Sequence, residues 1–339
     1  MVDYFRAIPQ TDPARPDDAL PLAGGWSWFT QVEHLRRDAP SRIVPASEIP
    51  SDVREAITAP RDRIAGLRMD RPHIMGILNV TPDSFSDGGE HYGPARALAH
   101  ARRMVDAGAT LVDIGGESTR PGASFVPHEA EIARTAPAIA AVTNVVGVPV
   151  SIDTRKAEVA SAALENGAAL VNDVSGFTYD PKLAPLCAKA GVPVCVMHAQ
   201  GDPATMQDNP TYDDVLLDVY DFLAAQVAFL TGLGIPRSQI IVDPGIGFGK
   251  TLHHNLALLS RISLFHALGC PILLGASRKG FIRTIGNAPD PKARSCGSVA
   301  VALEGIAQGV QIVRAHDVED TRQALLLWQA VTTGEYNAA

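Results

Sequence analysis

Residues 148–176 read VPVSIDTRKAEVASAALENGAALVNDVSG. The segment opens on a short β-branched run ending in Asp153 and closes on another, ALVNDV (169–174), ending in Asn172 and Asp173. Between them Lys156 to Asn166 carries Ala, Val and Leu at helical spacing. Strand, helix and strand within about thirty residues is a βαβ unit, which requires a parallel sheet.

The same unit recurs in both directions. Strand candidates are HIMGILNV (73–80), TLVDIGG (110–116), VPVSIDT (148–154), ALVNDV (169–174), VPVCVMH (192–198), QIIVDPG (239–245), CPILLGAS (270–277) and QIVRAHD (311–317). Helices are predicted between them, including Ala95 to Ala107, Asp213 to Leu230 and a last one from about Val318 to Thr332. Eight consecutive units over a span close to the ~250 residues typical of the architecture predict an α/β (β/α)8 TIM barrel over residues 71–335. A doubly wound open sheet is the competing fold, but its first turn needs a G-x-G-x-x-G that is absent here. Residues 1–70 differ, being rich in Pro and charge with one aromatic cluster at Trp26, Trp28 and Phe29. They are expected to form an irregular N-terminal extension, too poor in apolar residues for its own core, with the aromatics docked on the barrel.

Charge and composition narrow the function. The chain of 339 residues carries 29 Lys plus Arg against 37 Asp plus Glu, a net −8, which argues against nucleic acid or anionic membrane as a general partner. An anionic ligand then needs a local basic site. Cys187, Cys195, Cys270 and Cys296 are scattered without a zinc-ligand spacing, and neither an export leader nor 18 consecutive apolar residues is found. A reduced, cytoplasmic protein is expected.

Barrel active sites lie on the loops at the C-terminal ends of the strands. Every strand candidate here ends in polar residues: Asn79, Glu117 to Arg120, Asp153, Asn172 with Asp173, His198, Asp243, Ser277 to Lys279, and Arg314 with His316. A single Asp, Asn or Ser there is readily a cap or turn residue. Asp153 and Asp243, however, follow directly on apolar runs, and Arg314 and His316 interrupt one, so these charges need partners or ligands. Two motifs are decoys. GIGFGKT (245–251) lacks the first Gly of a phosphate loop, since position 244 is Pro244, and Gly275-Ala276-Ser277-Arg278-Lys279 is no nucleophile elbow because it ends in Lys279.

Laid out this way, the barrel resembles the dihydropteroate synthase family. The resemblance rests on GILNVTPDSFSDGG (76–89), DIGGESTRPGA (113–123), SIDTRK (151–156), NDVSG (172–176), VMHAQGDPATMQ (196–207), DPGIGFGKTLHHN (243–255), GASRKGF (275–281) and GSVAVA (297–302) taken with VRAHDV (313–318), one group per strand end and in family order. It implies a transferase that condenses 6-hydroxymethyl-7,8-dihydropterin pyrophosphate with p-aminobenzoate. By position it implies a pterin pocket of Asp153, Asn172, Met197, Asp243, Phe248 and Lys279. Pyrophosphate would meet Asn79, Arg314 and His316, with Mg2+ shared at Asn79. The p-aminobenzoate side would be built by Phe85, Thr119, Arg120, Pro121 and Ser277, the last at the start of a helix whose N–H groups face the carboxylate. Asp153, Lys279, Arg314 and His316 would carry the chemistry, and a homodimer through the last barrel helices is a further family expectation. A pterin-binding methyltransferase domain shares the barrel and the carboxylates but does not need the STRPG and SRKG loops together. A catalytically silent homologue would have lost Asn79, Arg120, Lys279, Arg314 or His316, and all five stand.

Overall fold

The computed structural model describes residues 2–81, 93–118, 125–201 and 205–335. The extension comprises β1 (Tyr4–Ala7), β2 (Leu20–Pro21), β3 (Trp28–Phe29), β4 (Gln31–Arg36), β5 (Ala39–Pro45) and α1 (Ser51–Thr58). It is more regular than its prolines suggest, which corrects the expectation of an irregular segment. β1, β4 and β5 form an antiparallel sheet, and β2 pairs with β3. Ala7, Leu22, Phe29, Val32, Ala46, Ile49 and Ile57 gather into a small core of their own. The physical reason is that most prolines fall at strand ends and turns, where no ladder hydrogen bond is lost. The Trp26 indole donates to the Ile306 carbonyl (2.8 Å), Arg61 to that of His266 (2.9 Å), and Arg37 pairs with Asp218 (2.7 Å) and Asp221 (2.8 Å).

The barrel follows as β6 (His73–Asn79), α2 (Pro94–Asp106), β7 (Leu111–Gly115), α3 (His128–Thr143), β8 (Val150–Asp153), α4 (Ala157–Glu165), β9 (Leu170–Asp173), α5 (Leu183–Ala190), β10 (Val194–Met197), α6 (Val215–Gly232), β11 (Ile240–Asp243), α7 (Leu252–Leu259), β12 (Leu273–Leu274), α8 (Gly280–Ile285), α9 (Ser295–Ala307), β13 (Ile312–Ala315) and α10 (Val318–Thr333). The eight strands are ordered β11-β10-β9-β8-β7-β6-β13-β12, all parallel, and a bridge between Val242 and Ile272 joins the two ends. Helix starts carry local signals. Asp214 accepts from the N–H groups of Leu216 and Leu217 ahead of α6, and Thr251 with His254 forms a capping box on α7. Among the described residues α6 is the one helix long and apolar enough to cross a membrane; here it packs against β10 and α7.

Period-2 alternation sorts the strand residues into two layers. Ile74, Val112, Ile114, Val150, Ile152, Val171, Val194, Val196 and Val242 point outward and fill the main core beneath the helices. Met75, Leu111, Leu170, Cys195, Ile241, Leu273 and Ile312 point inward and form the barrel floor, sealed from below by Ile64 and Met69. Ile64 closes a tight turn with Leu67 and Met69 follows it two residues on, so the last ten residues before β6 complete the barrel.

Candidate active site

Two residues beyond the floor, the inward positions turn polar. Leu111 is followed by Asp113, Leu170 by Asn172, Ile241 by Asp243 and Ile312 by Arg314, while β8 contributes Ser151 and Asp153. All are buried except Arg314, which is partly so. One alternation thus makes an apolar plug and a charged pocket from the same strands.

Arg314 organises the centre. Its Nε donates to Asp113 Oδ2 (2.6 Å) and its Nη2 to Asp153 Oδ2 (2.7 Å), while the Asn172 amide donates to Asp113 Oδ2 (3.1 Å). Asp113 Oδ1, Asp153 Oδ1 and Ser151 Oγ are buried without a hydrogen-bond partner among the described residues. Such atoms are costly unless something pairs with them, so they mark where a ligand's donors belong. Burial pushes the Asp153 carboxyl up to about 7, against the pull of Arg314 and helped by neighbouring Asp113. Burial likewise raises Asp243 to about 6, although the Gly245 N–H (2.7 Å) and the Lys279 charge hold it down.

Around this centre, the Lys279 ammonium stands 3.9 Å from the centroid of the Phe248 ring, a cation–π contact. A side chain at Gly115 would come within 3.4 Å of Asp153 and 3.6 Å of Asn79 Oδ1, so Asn79 and Asp153 flank the same backbone position. The Ser277 hydroxyl lies 3.0 Å from His316 Nδ1 and accepts the His316 N–H (3.2 Å). Arg278, held at a left-handed φ of 57°, pairs with Asp317 through its Nε (3.0 Å). Below the loop that follows β7, buried Lys156 pairs with Glu131 (2.7 Å) and Glu117 (3.2 Å).

The structure therefore brings Asp153, Asn172, Met197, Asp243, Phe248, Lys279, Arg314, His316, Ser277 and Asn79 to one end of the barrel. Phe85, Thr119, Arg120 and Pro121 lie outside the described residues. Two placements differ from the sequence reading. Arg314 is clamped between two carboxylates, because an arginine at the centre of a polar barrel finds the nearest buried anions first. Ser277 does not stand directly before a helix, for α8 begins at Gly280 where the sequence suggests Arg278, and the Ser277 hydroxyl is turned to His316. Asp173, one step out of phase with Asn172, faces away and accepts from the N–H groups of Ser175 and Phe177 (both 2.7 Å), a turn-forming role. Asp113 received no role from sequence. Its signal was available, since it interrupts an apolar strand in phase with the pocket.

Comparison with known proteins matches this site. The family model described as pterin binding enzyme covers residues 75–316. The dihydropteroate synthase of Escherichia coli (strain K12) is 44% identical over 271 residues, 80% of this chain and 95% of that protein. Among solved structures, a Xanthomonas albilineans dihydropteroate synthase with 4-aminobenzoic acid superposes with a TM-score of 0.76 at 43% identity, covering 80% of this chain and 98% of that one. The same organism's enzyme in complex with 7,8-dihydropteroate gives 0.73 at 40% identity, with the same coverage. A pterin-family match that runs from β6 to the end of β13, near-complete coverage of these relatives and a pocket of buried carboxylates at the barrel's mouth lead to one conclusion: the chain belongs to the dihydropteroate synthases of the pterin-binding enzyme family.

Proposed function

We infer that the chain is a transferase of folate biosynthesis that condenses 6-hydroxymethyl-7,8-dihydropterin pyrophosphate with p-aminobenzoate, giving 7,8-dihydropteroate and pyrophosphate. The observation that carries this reading is the row of orphaned buried acceptors, Asp113 Oδ1, Asp153 Oδ1 and Ser151 Oγ, beside Asn172 and Asp243. A pterin presents an amino-pyrimidinone edge of N–H donors with a carbonyl acceptor, and such a set of carboxylates and an amide complements it. Phe248 and Met197 would line the ring's faces. Lys279, held on Phe248, would bond the pterin's carbonyl edge.

The bond from the pterin's exocyclic methylene to the pyrophosphate oxygen breaks with both electrons leaving on oxygen. The aryl amine nitrogen then bonds the methylene and sheds a proton. The protein's contribution is electrostatic. Asp153 would face the positive charge that develops on the pterin, and Arg314 and His316, at the end of β13 where barrels commonly seat phosphate, would receive the leaving group. Arg314 has donors beyond the two engaged by the aspartates. The donor set fits Mg2+ bound largely through substrate, since Asn79 offers one neutral oxygen and, among the described residues, no cluster of three or more acidic, His or Cys ligands occurs. When bound, Mg2+ would neutralise charge on the departing pyrophosphate. Phe85, Thr119, Arg120, Pro121 and Ser277 would form the p-aminobenzoate side.

Two further parts of the reading have structural support. A homodimer through α10 is supported by Leu326, Leu327 and Val331 on its surface, exposed to 44%, 62% and 81%. A reducing, cytoplasmic setting suits four free thiols, three of them buried. The test is pyrophosphate release by the purified protein with both substrates and Mg2+. Release that does not depend on p-aminobenzoate would refute the reading, and methyl transfer from a methylpterin to a corrinoid would replace it.

A further inference from the structure

The GFGK sequence that mimics a phosphate loop has another use. Lys250 is buried, and its ammonium touches four acceptors: His198 Nδ1 (2.8 Å) and the carbonyls of Gly245 (2.9 Å), Phe248 (3.0 Å) and His198 (3.2 Å). Because an ammonium has only donors, His198 Nδ1 accepts when Lys250 is charged, and the imidazole is then neutral with its proton on Nε2. Burial and the Lys250 charge agree with this, driving His198 down to about 2. Burial also draws Lys250 down to about 7, opposed by the nearby Asp243 carboxylate.

The turn so held is tightly seated. Gly245, Gly247 and Gly249 all have left-handed φ, and a side chain at Gly245 would come within 1.9 Å of the His198 carbonyl oxygen. Gln207 and Tyr212 donate to the Gly247 (2.6 Å) and Gly249 (2.7 Å) carbonyls from the loop after β10. At one end of the turn stands Asp243, and inside it Phe248 lies under Lys279. We propose that Lys250 is a positioning residue of the pterin pocket: its ammonium ties the end of β10 to the turn after β11 and so sets where Phe248 and Asp243 stand. The proposal rests on the pterin-transfer reading above.

It is tested in the full-length protein with Lys250→Met, His198→Leu and His198→Asn. Calorimetric titration with 6-hydroxymethylpterin is run beside KM for each substrate. Lys250→Met is expected to weaken pterin binding roughly tenfold or more, the scale of a sub-ångström misplacement, with KM for p-aminobenzoate within about twofold. His198→Leu should weaken pterin binding about threefold, whereas His198→Asn, whose side-chain oxygen stands near the place of Nδ1, should restore it to within about twofold. Packing alone would favour Leu over Asn, so Asn binding more weakly than Leu overturns the proposal. Equal shifts in both KM values, or unchanged pterin affinity, overturn it as well. Should Lys250→Met fail to fold, the His198 pair still decides. Absence of pyrophosphate release by the unsubstituted chain would sink the functional reading, while the titration would still judge Lys250.

Discussion

Arg314→Ala removes the cation that pairs with both Asp113 and Asp153. Asp113 is fully buried and Asp153 nearly so, and each loses a charge-assisted bond of 2.6–2.7 Å. Breaking a buried pair in this way ordinarily costs about 3–5 kcal/mol, because a charge is left uncompensated. Here the imbalance has an exit. Burial already pushes the Asp153 carboxyl up to about 7, so taking up a proton relieves the uncompensated charge near neutrality, at a cost that grows as pH rises. A carboxyl whose folded pKa is raised contributes stability that is present at low pH and lost as pH rises through that pKa. Removing Arg314 raises the Asp153 pKa further and extends the loss upward. The variant should therefore fold, be destabilised by about 3 kcal/mol near neutrality, and fall further behind the parent as pH rises from 6.5 to 8.5. Its kcat/KM should drop roughly 100-fold or more, as for other lost electrostatic stabilisers. Urea unfolding at several pH values and coupled pyrophosphate release measure both effects. A stability deficit that shrinks with rising pH, or kcat/KM within twofold of the parent, would refute the assignment of Arg314 as the hub of the site.

Other expectations are as direct. Asp153 and Asp243 must be ionised to accept the pterin's N–H groups, so kcat/KM for the pterin substrate should fall as pH drops through 7 and then 6, and Asp153→Asn should remove the upper inflection; a flat profile from pH 5.5 to 8 would contradict this. Deletion of residues 2–59 should leave both KM values within twofold while lowering the melting temperature by several degrees, whereas deletion through Asp70 also strips Ile64 and Met69 from the barrel floor and should give insoluble protein; equal behaviour of the two truncations would show that the floor needs no seal. Gly245→Ala, which forces a side chain against the His198 carbonyl at a left-handed φ, should cost at least about 2 kcal/mol and raise the pterin KM, read by thermal melts and initial rates. Sulfonamides, aryl amines of the same shape as p-aminobenzoate, should inhibit competitively with it; inhibition that persists as p-aminobenzoate is raised would argue otherwise.

The barrel was legible because each βαβ unit announces itself locally. All eight strands fall inside the stretches expected from sequence, and α2, α4, α6 and α10 begin and end within about two residues of theirs. The rim was legible for the same reason, since a polar residue in an apolar run stands out. Pairing was not. That Asp113 and Asp153 share one guanidinium depends on where β7, β8 and β13 face each other across a closed barrel, 201 and 161 residues apart in the chain. In the extension, prolines suggested irregular structure, but ladder positions between them carried enough apolar residues to form a small core.

By itself, the sequence determined the units, their order, the end of the barrel that carries the chemistry and the family, all of which are written in short-range patterns of apolar and polar residues. Tertiary structure alone decided which inward-facing charge meets which, that Asp173 turns away while its neighbour Asn172 turns in, that Lys250 serves carbonyls where its motif suggests phosphate, and that Ile64 and Met69 belong to the barrel. These depend on strand register, closure and burial, and a buried polar atom acquires its partner only when distant strands are brought within about 3 Å.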